Sequence, residues 1–250
     1  MIRILLSLLC GLSSATAGNL KPNIIIIMVD DMGIGDTSAY LGKSLSERSV
    51  PIELTQVTPS LEAFASRSMI FTDAHAGGSM CSTSRYSLMT GRFGHRPYLK
   101  RQGWLPHGPN LPMIQSELVT LPEMLKVNGY ETACVGKYHV GMAFDNGDGE
   151  PARDYYHRDV DFTRPLLDGP THQGFDEFLG VPGNIEDALD TEPRILIRDD
   201  RWEMTDRSKM VMGGWKKHVG KVFTDPSWDL THIGETYLDE VEAILKRKSA

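Results

Sequence analysis

The chain has few cysteines, no excess of positive charge and no long apolar run. Three cysteines in 250 residues exclude a disulfide-rich scaffold. A formal net charge of −7, without a dense lysine or arginine cluster, gives no electrostatic footprint for nucleic acid. No segment is long and apolar enough for a membrane-spanning helix. With 40% hydrophobic residues, the chain can bury the core of one large domain or two small ones.

Residues 1–17 have the composition of an export signal. Arg3 gives a positive start, residues 4–12 form an apolar run, and Ala-Thr-Ala ends at Ala17. A buried amino-terminal strand is the alternative, but Gly, Asn and Pro at residues 18–22 interrupt the chain first. We expect cleavage after Ala17, a secreted or periplasmic protein of residues 18–250, and no membrane contact after cleavage.

Two cysteines remain once residues 1–17 are removed. Cys81 and Cys134 could pair. However, Cys134 lies in the apolar run of residues 131–135, where a small buried thiol is the ordinary expectation. Cys81 needs another explanation.

Strand and helix patterns alternate along the first half of the chain. Residues 23–29 (NIIIIMV) are continuously apolar, which is typical of a strand covered on both faces. Helix-start signals with an early proline occur at residues 58–66 and again at 120–127. Strands are predicted after them, at residues 69–72 and 130–135. This alternation predicts an α/β layered fold.

The second half has weaker patterns. Residues 145–171 mix Gly, Asp, Pro and Arg, which indicates a long functional loop. We predict a turn into a short strand at residues 174–179 and another strand at 194–198. Hydrophobic spacing at residues 231–246 predicts an amphipathic helix.

Cys81 directly precedes a predicted helix start. Ser82, Thr83 and Ser84 are good capping residues, and Gly91 is placed to end the helix. A helix amino terminus favours an anion, and Arg85 can direct its guanidinium to the same anion. The residues alone therefore indicate a nucleophile or modified residue that handles a phosphate-like or sulfate-like group.

Four motifs together resemble the sulfatase family. Residues 81–92 (CSTSRYSLMTGR) resemble its signature, and residues 23–31 resemble its first strand with paired aspartates. Residues 136–141 (GKYHVG) and 174–178 (GFDEF) are similar to two further family motifs, in the expected order. The resemblance runs from residue 22 to the end. It implies an alkaline-phosphatase-like three-layer α/β sandwich with a mainly parallel central sheet.

The resemblance also implies a metal and a modified residue. A formylglycine-generating enzyme would convert Cys81 to formylglycine, whose hydrate would attack sulfur and release the alcohol. Asp30 and Asp31, with residue 81, would bind Ca²⁺ as a Lewis acid.

Three further side chains receive roles by the same resemblance. Arg85 would stabilise the hydrate and its ionised form. Lys137 would hold a sulfate oxygen, and His139 would hydrogen-bond the hydrate or the sulfate ester. As alternate residues at a strand end, Lys137 and His139 can face one side.

Two features depart from the family pattern. Thr83 stands where the family usually has Pro or Ala, a position that the modifying enzyme reads. Sulfatases usually run to about twice this length, in two unequal domains. We therefore interpret residues 18–250 as the amino-terminal part of the catalytic domain, with the carboxy-terminal half missing. We expect this part alone to be inactive.

Other readings stay open. Phosphoester and phosphonate hydrolases of the same superfamily also act on tetrahedral oxyanions, and a non-catalytic remnant is a third possibility. The substrate would be a small-molecule or glycan sulfate ester. Arg153, His157 and Arg158 could meet an anionic glycan, or could simply belong to a solvated loop.

Overall fold

The computed structural model describes residues 21–40, 58–96, 112–184, 192–213 and 220–248. The predicted signal and its cleavage site lie outside these ranges. The chain forms two compact units, Met1–Arg67 and Ser68–Ala250, which are described separately. Within the described ranges, no helix combines the length and the apolarity needed to cross a bilayer.

The first unit contains a short 3₁₀ turn, Ile34–Asp36, and helix α1, Pro59–Ala65. Pro59 occupies the first turn of α1, as predicted. Thr58 precedes it but makes no capping hydrogen bond to the helix. Its hydroxyl instead contacts the hydroxyl of Thr37 at 2.8 Å and accepts the Ser38 N–H at 3.2 Å. The predicted cap is therefore wrong, because the hydroxyl is used to join two segments of the unit.

The predicted strand at residues 23–29 does not form. These residues have no strand assignment, and their side chains are exposed, reaching 82% for Ile27. The predicted strand at residues 69–72, in the second unit, is also irregular, with Met69 79% exposed. Apolar β-branched composition favours a strand only where a neighbour supplies hydrogen bonds and cover. In the described part of each unit, no strand pairs with these segments.

The second unit holds the remaining elements. Its helices are α2 (Cys81–Thr90), α3 (Leu121–Val127) and α4 (Ile233–Lys248). Its strands are β1 (Ala133–Lys137), β2 (Glu177–Val181), β3 (Ile197–Arg198), β4 (Arg201–Trp202), β5 (Val211–Gly213) and β6 (Val222–Thr224). A 3₁₀ turn, Pro170–Gln173, precedes β2. Apart from the strand at residues 69–72, the predicted helices and strands of this unit are present, with their ends shifted by a few residues.

Two sheets organise the second unit. The larger has the order β1-β2-β3-β4, and only its β1–β2 pair is parallel. The smaller is the antiparallel pair β5–β6. In the parallel pair Ala133 lies opposite Glu177 and Lys137 opposite Val181, which aligns the carboxyl ends of both strands.

The segment predicted as a long loop contributes buried side chains to the core of this unit. Phe162 contacts Trp202 and Phe223 edge to face, with ring centroids 5.0 and 5.5 Å apart. Phe144 contacts Trp202 in the same way at 4.9 Å. The loop is irregular in backbone but buried in its apolar side chains, so Val160 and Phe162 stabilise the unit.

Helix α3 is fixed to the chain before β2 by its capping box. Thr120 accepts the Glu123 N–H at 3.3 Å, and the Glu123 carboxylate accepts the Thr120 N–H at 2.8 Å. The Thr120 hydroxyl also donates to the Gln173 carbonyl at 2.6 Å. The predicted capping box is confirmed, and it adds a long-range contact that sequence could not indicate.

Candidate active site

Cys81 is the first residue of α2. Met80 is the amino-terminal capping residue and provides no side-chain acceptor for the first turn. Thr83 and Ser84 do not cap the helix either, since their hydroxyls donate to the carbonyls of Met80 and Gly78 at 3.0 and 2.8 Å. The helix start is thus as predicted, but the capping role of these hydroxyls is not. A helix of ten residues with no side-chain cap carries a partial positive charge at its amino terminus, and this charge suits an anion.

Thr83 lies between two glycines. A Cβ added at Gly78 would meet the Thr83 hydroxyl oxygen at 2.3 Å, and one added at Gly94 would meet its Cβ at 2.5 Å. Glycine at both positions therefore provides the room for a β-branched residue here. The departure from Pro or Ala is accommodated by the fold.

The end of β1 carries the second motif. After the strand ends at Lys137, the N–H groups of Tyr138 and His139 continue the ladder, donating to Val181 and Pro182 at 3.0 and 2.9 Å. His139 has a left-handed φ of 53° and is 1% exposed. The alternation of side-chain direction expected of a strand therefore stops at Lys137. It cannot by itself place the His139 side chain on the same side as that of Lys137.

Strands β1 and β2 approach closely just before this end. A Cβ at Gly180 would lie 1.8 Å from the Gly136 carbonyl oxygen. Only glycine at residue 180 permits this approach. It fixes the distance between the backbone segments that carry Lys137 and Pro182.

Arg85 joins the two motifs. Its guanidinium donates to the backbone carbonyl of Lys137, across 52 residues of sequence. The structure thus brings the first turns of α2 and the end of β1 together. Of the predicted site residues, Cys81 and Arg85 lie on α2, Lys137 ends β1, and His139 follows β1 by two residues.

Cys81 and Cys134 differ in environment. Cys81 and Cys134 are both free thiols, so the alternative of a disulfide is not realised. Burial raises the pKa of Cys134 to about 12, although the charge of Arg85 acts against this. Cys134 is therefore a neutral, structural thiol at neutral pH, as expected.

The paired aspartates lie in the first unit. Asp30 and Asp31 are exposed, and Asp31 has a left-handed φ of 55°. Their carboxylate oxygens are the hard donors that Ca²⁺ prefers, but it takes six to eight oxygens. Among the residues that the structure describes, no group of three His, Cys, Asp or Glu side chains is placed to hold a metal. The pair fits calcium in chemistry and supplies only part of a coordination shell.

The predicted glycan contacts are only partly accessible. His157 is 1% exposed, so neither alternative for this residue, a glycan contact or a solvated loop, is realised. Arg158 is exposed but forms an ion pair with Asp154 at 2.6 Å. Hydrogen bonds from Arg158 hold the pKa of that carboxyl well below its usual range. Arg153 remains exposed.

Sequence reasoning missed one buried acidic residue. Glu192 is 1% exposed and lies 3.4 Å from the Nε2 atom of His157. A carboxylate in the segment 192–194 (EPR) gives no local signal of burial, because its cover comes from distant parts of the chain.

Comparison with known proteins identifies what the chain is similar to. The sulfatase family model matches residues 22–225. Rat (Rattus norvegicus) arylsulfatase G is 34% identical over 195 residues, covering 75% of this chain and 30% of that protein. Human (Homo sapiens) arylsulfatase A is 32% identical over 177 residues, covering 70% and 28%. The N-acetylgalactosamine-6-O-sulfatase of Bacteroides thetaiotaomicron is 30% identical over 166 residues, covering 66% and 27%. The chain thus spans less than a third of the length of these relatives.

A solved structure supports the fold. It comes from work on the metabolism of multiple glycosaminoglycans by Bacteroides thetaiotaomicron, and superposes with a TM-score of 0.68 at 21% identity. The match covers 91% of this chain and 48% of that one. Together with the family match, this confirms the predicted α/β fold class of the alkaline-phosphatase type.

Proposed function

Since the chain belongs to the sulfatase family, we propose that it carries part of the active site of a sulfuric ester hydrolase. The observation that supports this most strongly is the hydrogen bond from Arg85 to the Lys137 carbonyl. It joins the helix that begins at Cys81 to the strand that ends before His139. The Arg85 guanidinium and the backbone that carries Lys137 and His139 therefore lie beside the helix that begins at residue 81.

Residue 81 is proposed to act as formylglycine, which would supply a hydrated aldehyde as the nucleophile toward sulfur. The chain's own contribution is to hold that residue at the positive end of α2. Maturation would need a formylglycine-generating enzyme as a partner, and the predicted signal implies an exported protein.

The remaining side chains are proposed to bind the anion. Arg85 would stabilise negative charge at residue 81, and Lys137 would hold a sulfate oxygen. His139 would donate a hydrogen bond to the ester or to residue 81. Asp30 and Asp31 would contribute carboxylate oxygens to a calcium ion, which when bound would polarise the sulfate group.

Sulfated glycans are the proposed substrate class. One relative is named for a sulfated amino sugar, and the structural relative comes from work on glycosaminoglycan metabolism. The exposed Arg153 is a candidate contact for such an anionic polymer.

Peptide mass spectrometry provides the first test. The chain is co-expressed with a formylglycine-generating enzyme, and the peptides carrying residues 81 and 134 are compared. We expect the mass of an aldehyde at residue 81 and an unchanged thiol at Cys134. A thiol at both positions would contradict the proposal, and Cys81→Ala serves as the unconverted control.

Kinetics on the protein isolated from its native source provide the second test. We expect an aryl sulfate to be hydrolysed faster than the matching aryl phosphate. Arg85→Ala should lower kcat/KM by on the order of 10²–10³. Arg164→Ala, which removes an exposed cation, is the control. Preference for the phosphate would instead favour a phosphoester hydrolase.

A further inference from the structure

Two glycines before helix α2 lie against one face of that helix. A Cβ added at Gly77 would meet the Cβ of Ser87 at 2.3 Å, and one added at Gly78 would meet the hydroxyl oxygen of Thr83 at 2.3 Å. Only glycine permits backbone to come this close to a side chain. Thr83 and Ser87 are four residues apart and therefore share a face of the helix. The backbone that leads to the start of α2 is thus held against that face.

The side chain of Thr83 is confined on both of its branches. Its hydroxyl oxygen faces the Gly78 backbone, and a Cβ added at Gly94 would lie 2.9 Å from its methyl carbon Cγ2. Threonine in a helix divides between two χ1 rotamers, and close backbone on both sides favours one of them. In the rotamer that the structure shows, the hydroxyl donates to the Met80 carbonyl at 3.0 Å.

The Met80 carbonyl accepts two hydrogen bonds. One comes from the Thr83 hydroxyl at 3.0 Å and the other from the Ser84 N–H at 2.9 Å. Because a peptide unit is planar, this carbonyl and the N–H of Cys81 lie in one rigid plane. Two donors on the carbonyl therefore restrain the tilt of that plane and the direction of the Cys81 N–H. The first N–H groups of a helix have no acceptor within it and are the groups that meet an anion.

We propose that Thr83 is a positioning residue for residue 81. Its hydroxyl fixes the plane of the peptide that joins Met80 to Cys81, and its methyl group against Gly94 keeps the hydroxyl directed to that peptide. Proline or alanine at residue 83 could not donate this bond. The catalytic consequence rests on the proposed function, in which residue 81 carries the reacting group.

The test is the residual dipolar coupling of the Cys81 N–H, which reports the direction of that bond. The full chain is labelled with ¹⁵N-cysteine and expressed without a formylglycine-generating enzyme. It has three cysteines, and Cys81→Ala assigns the signal. Thr83→Val keeps the side-chain shape but removes the donor, so it should change the coupling of Cys81 and leave that of Cys134 unchanged. Thr83→Ser, which keeps the donor, should restore most of the wild-type value.

Thr90→Val is the matched control. It removes a hydroxyl that donates to the Tyr86 carbonyl at 2.7 Å, near the other end of α2. It should leave the Cys81 coupling unchanged. Equal changes in Thr90→Val and Thr83→Val would mean a general effect on the helix and would overturn the proposal. An unchanged coupling in Thr83→Val, or a change in Thr83→Ser as large as that in Thr83→Val, would overturn it too.

A second variant keeps the proposal testable if Thr83→Val folds poorly. Gly94→Ala retains the hydroxyl but places a methyl group 2.5 Å from the Thr83 Cβ, which must move. We expect the Cys81 coupling to change in this variant as well. A folded Gly94→Ala protein with the wild-type coupling would contradict the positioning role.

Kinetics on the native-source protein separate this inference from the proposed function. Rates are divided by the aldehyde content at residue 81, because Thr83 lies at a position that the modifying enzyme reads. Thr83→Val should then lower kcat by roughly 2–10-fold, the factor for one lost hydrogen bond, with KM nearly unchanged. Unchanged kcat in an active sulfatase would overturn the positioning role alone. A wild-type protein without sulfatase activity would overturn the proposed function, while the coupling would still decide whether Thr83 orients Cys81.

Discussion

Replacing Gly180 by Ala tests whether the close approach of β1 and β2 holds the site together. The added Cβ would meet the Gly136 carbonyl oxygen at 1.8 Å and its carbonyl carbon at 2.8 Å. Both atoms belong to the backbone, so no side-chain rotation can relieve the clash, and the strands must separate. Overpacking typically costs about 1–3 kcal/mol. We expect at least the upper end, about 3 kcal/mol, which lowers the melting temperature by about 6–12 °C for a chain of this size.

The assay is urea unfolding followed by tryptophan fluorescence, since Trp202 is buried in the same unit. Gly234→Ala is the matched control, because a Cβ there meets nothing within 4 Å and the residue lies in helix α4. The control should be neutral or more stable by up to about 1 kcal/mol. A Gly180→Ala protein within about 0.5 kcal/mol of wild type, the usual range for harmless surface changes, would refute the reasoning.

Three further predictions concern stability and reactivity. Thr120→Ala should lower the free energy of unfolding by about 2 kcal/mol in urea titration, because it removes a helix cap and a donor to a buried carbonyl. Hydrogen bonds from Lys126 and from the Thr132 N–H hold the pKa of Asp176 below its usual value. The ionised carboxylate therefore stabilises the folded protein fully above about pH 3.9, and this stabilisation is lost as pH falls through the lowered pKa. Asp176→Asn should therefore reduce stability at neutral pH and flatten that acid dependence, and an unchanged pH profile would contradict it. Cys134 should resist alkylation at pH 8 until the protein is unfolded, because burial keeps it a thiol; peptide mapping of the native protein after iodoacetamide treatment checks this.

Features that depend only on residues close in sequence were predictable. The capping box at Thr120 and the helix from Cys81 to Thr90, ended by Gly91 with a φ of 66°, follow from local chemistry. The prediction of a strand at residues 23–29 was wrong because an apolar composition indicates only that the side chains need to be buried. A strand also requires a partner, and composition does not say whether one is present.

The same distinction between local and long-range features applies to the candidate site. Its residue types and spacing were readable from the motifs around Cys81 and His139, and the structure places those two motifs on adjoining elements. The hydrogen bond from Arg85 to a backbone carbonyl was not readable, because any residue offers that acceptor. Glu192 was missed because burial of a carboxylate depends on groups distant in sequence.

The parallel pairing of β1 and β2 has a consequence for the order of folding. Ala133 pairs with Glu177, 44 residues away, whereas the β3–β4 hairpin pairs Ile197 with Trp202 across a short turn. Closing the longer loop costs more chain entropy, and contacts can offset this cost only after the loop has closed. The hairpin is therefore expected to form first, and the β1–β2 pair that aligns His139 with its neighbours to form among the last events of folding. A mutation that slows this pairing would delay assembly of the site even where the final stability is unchanged.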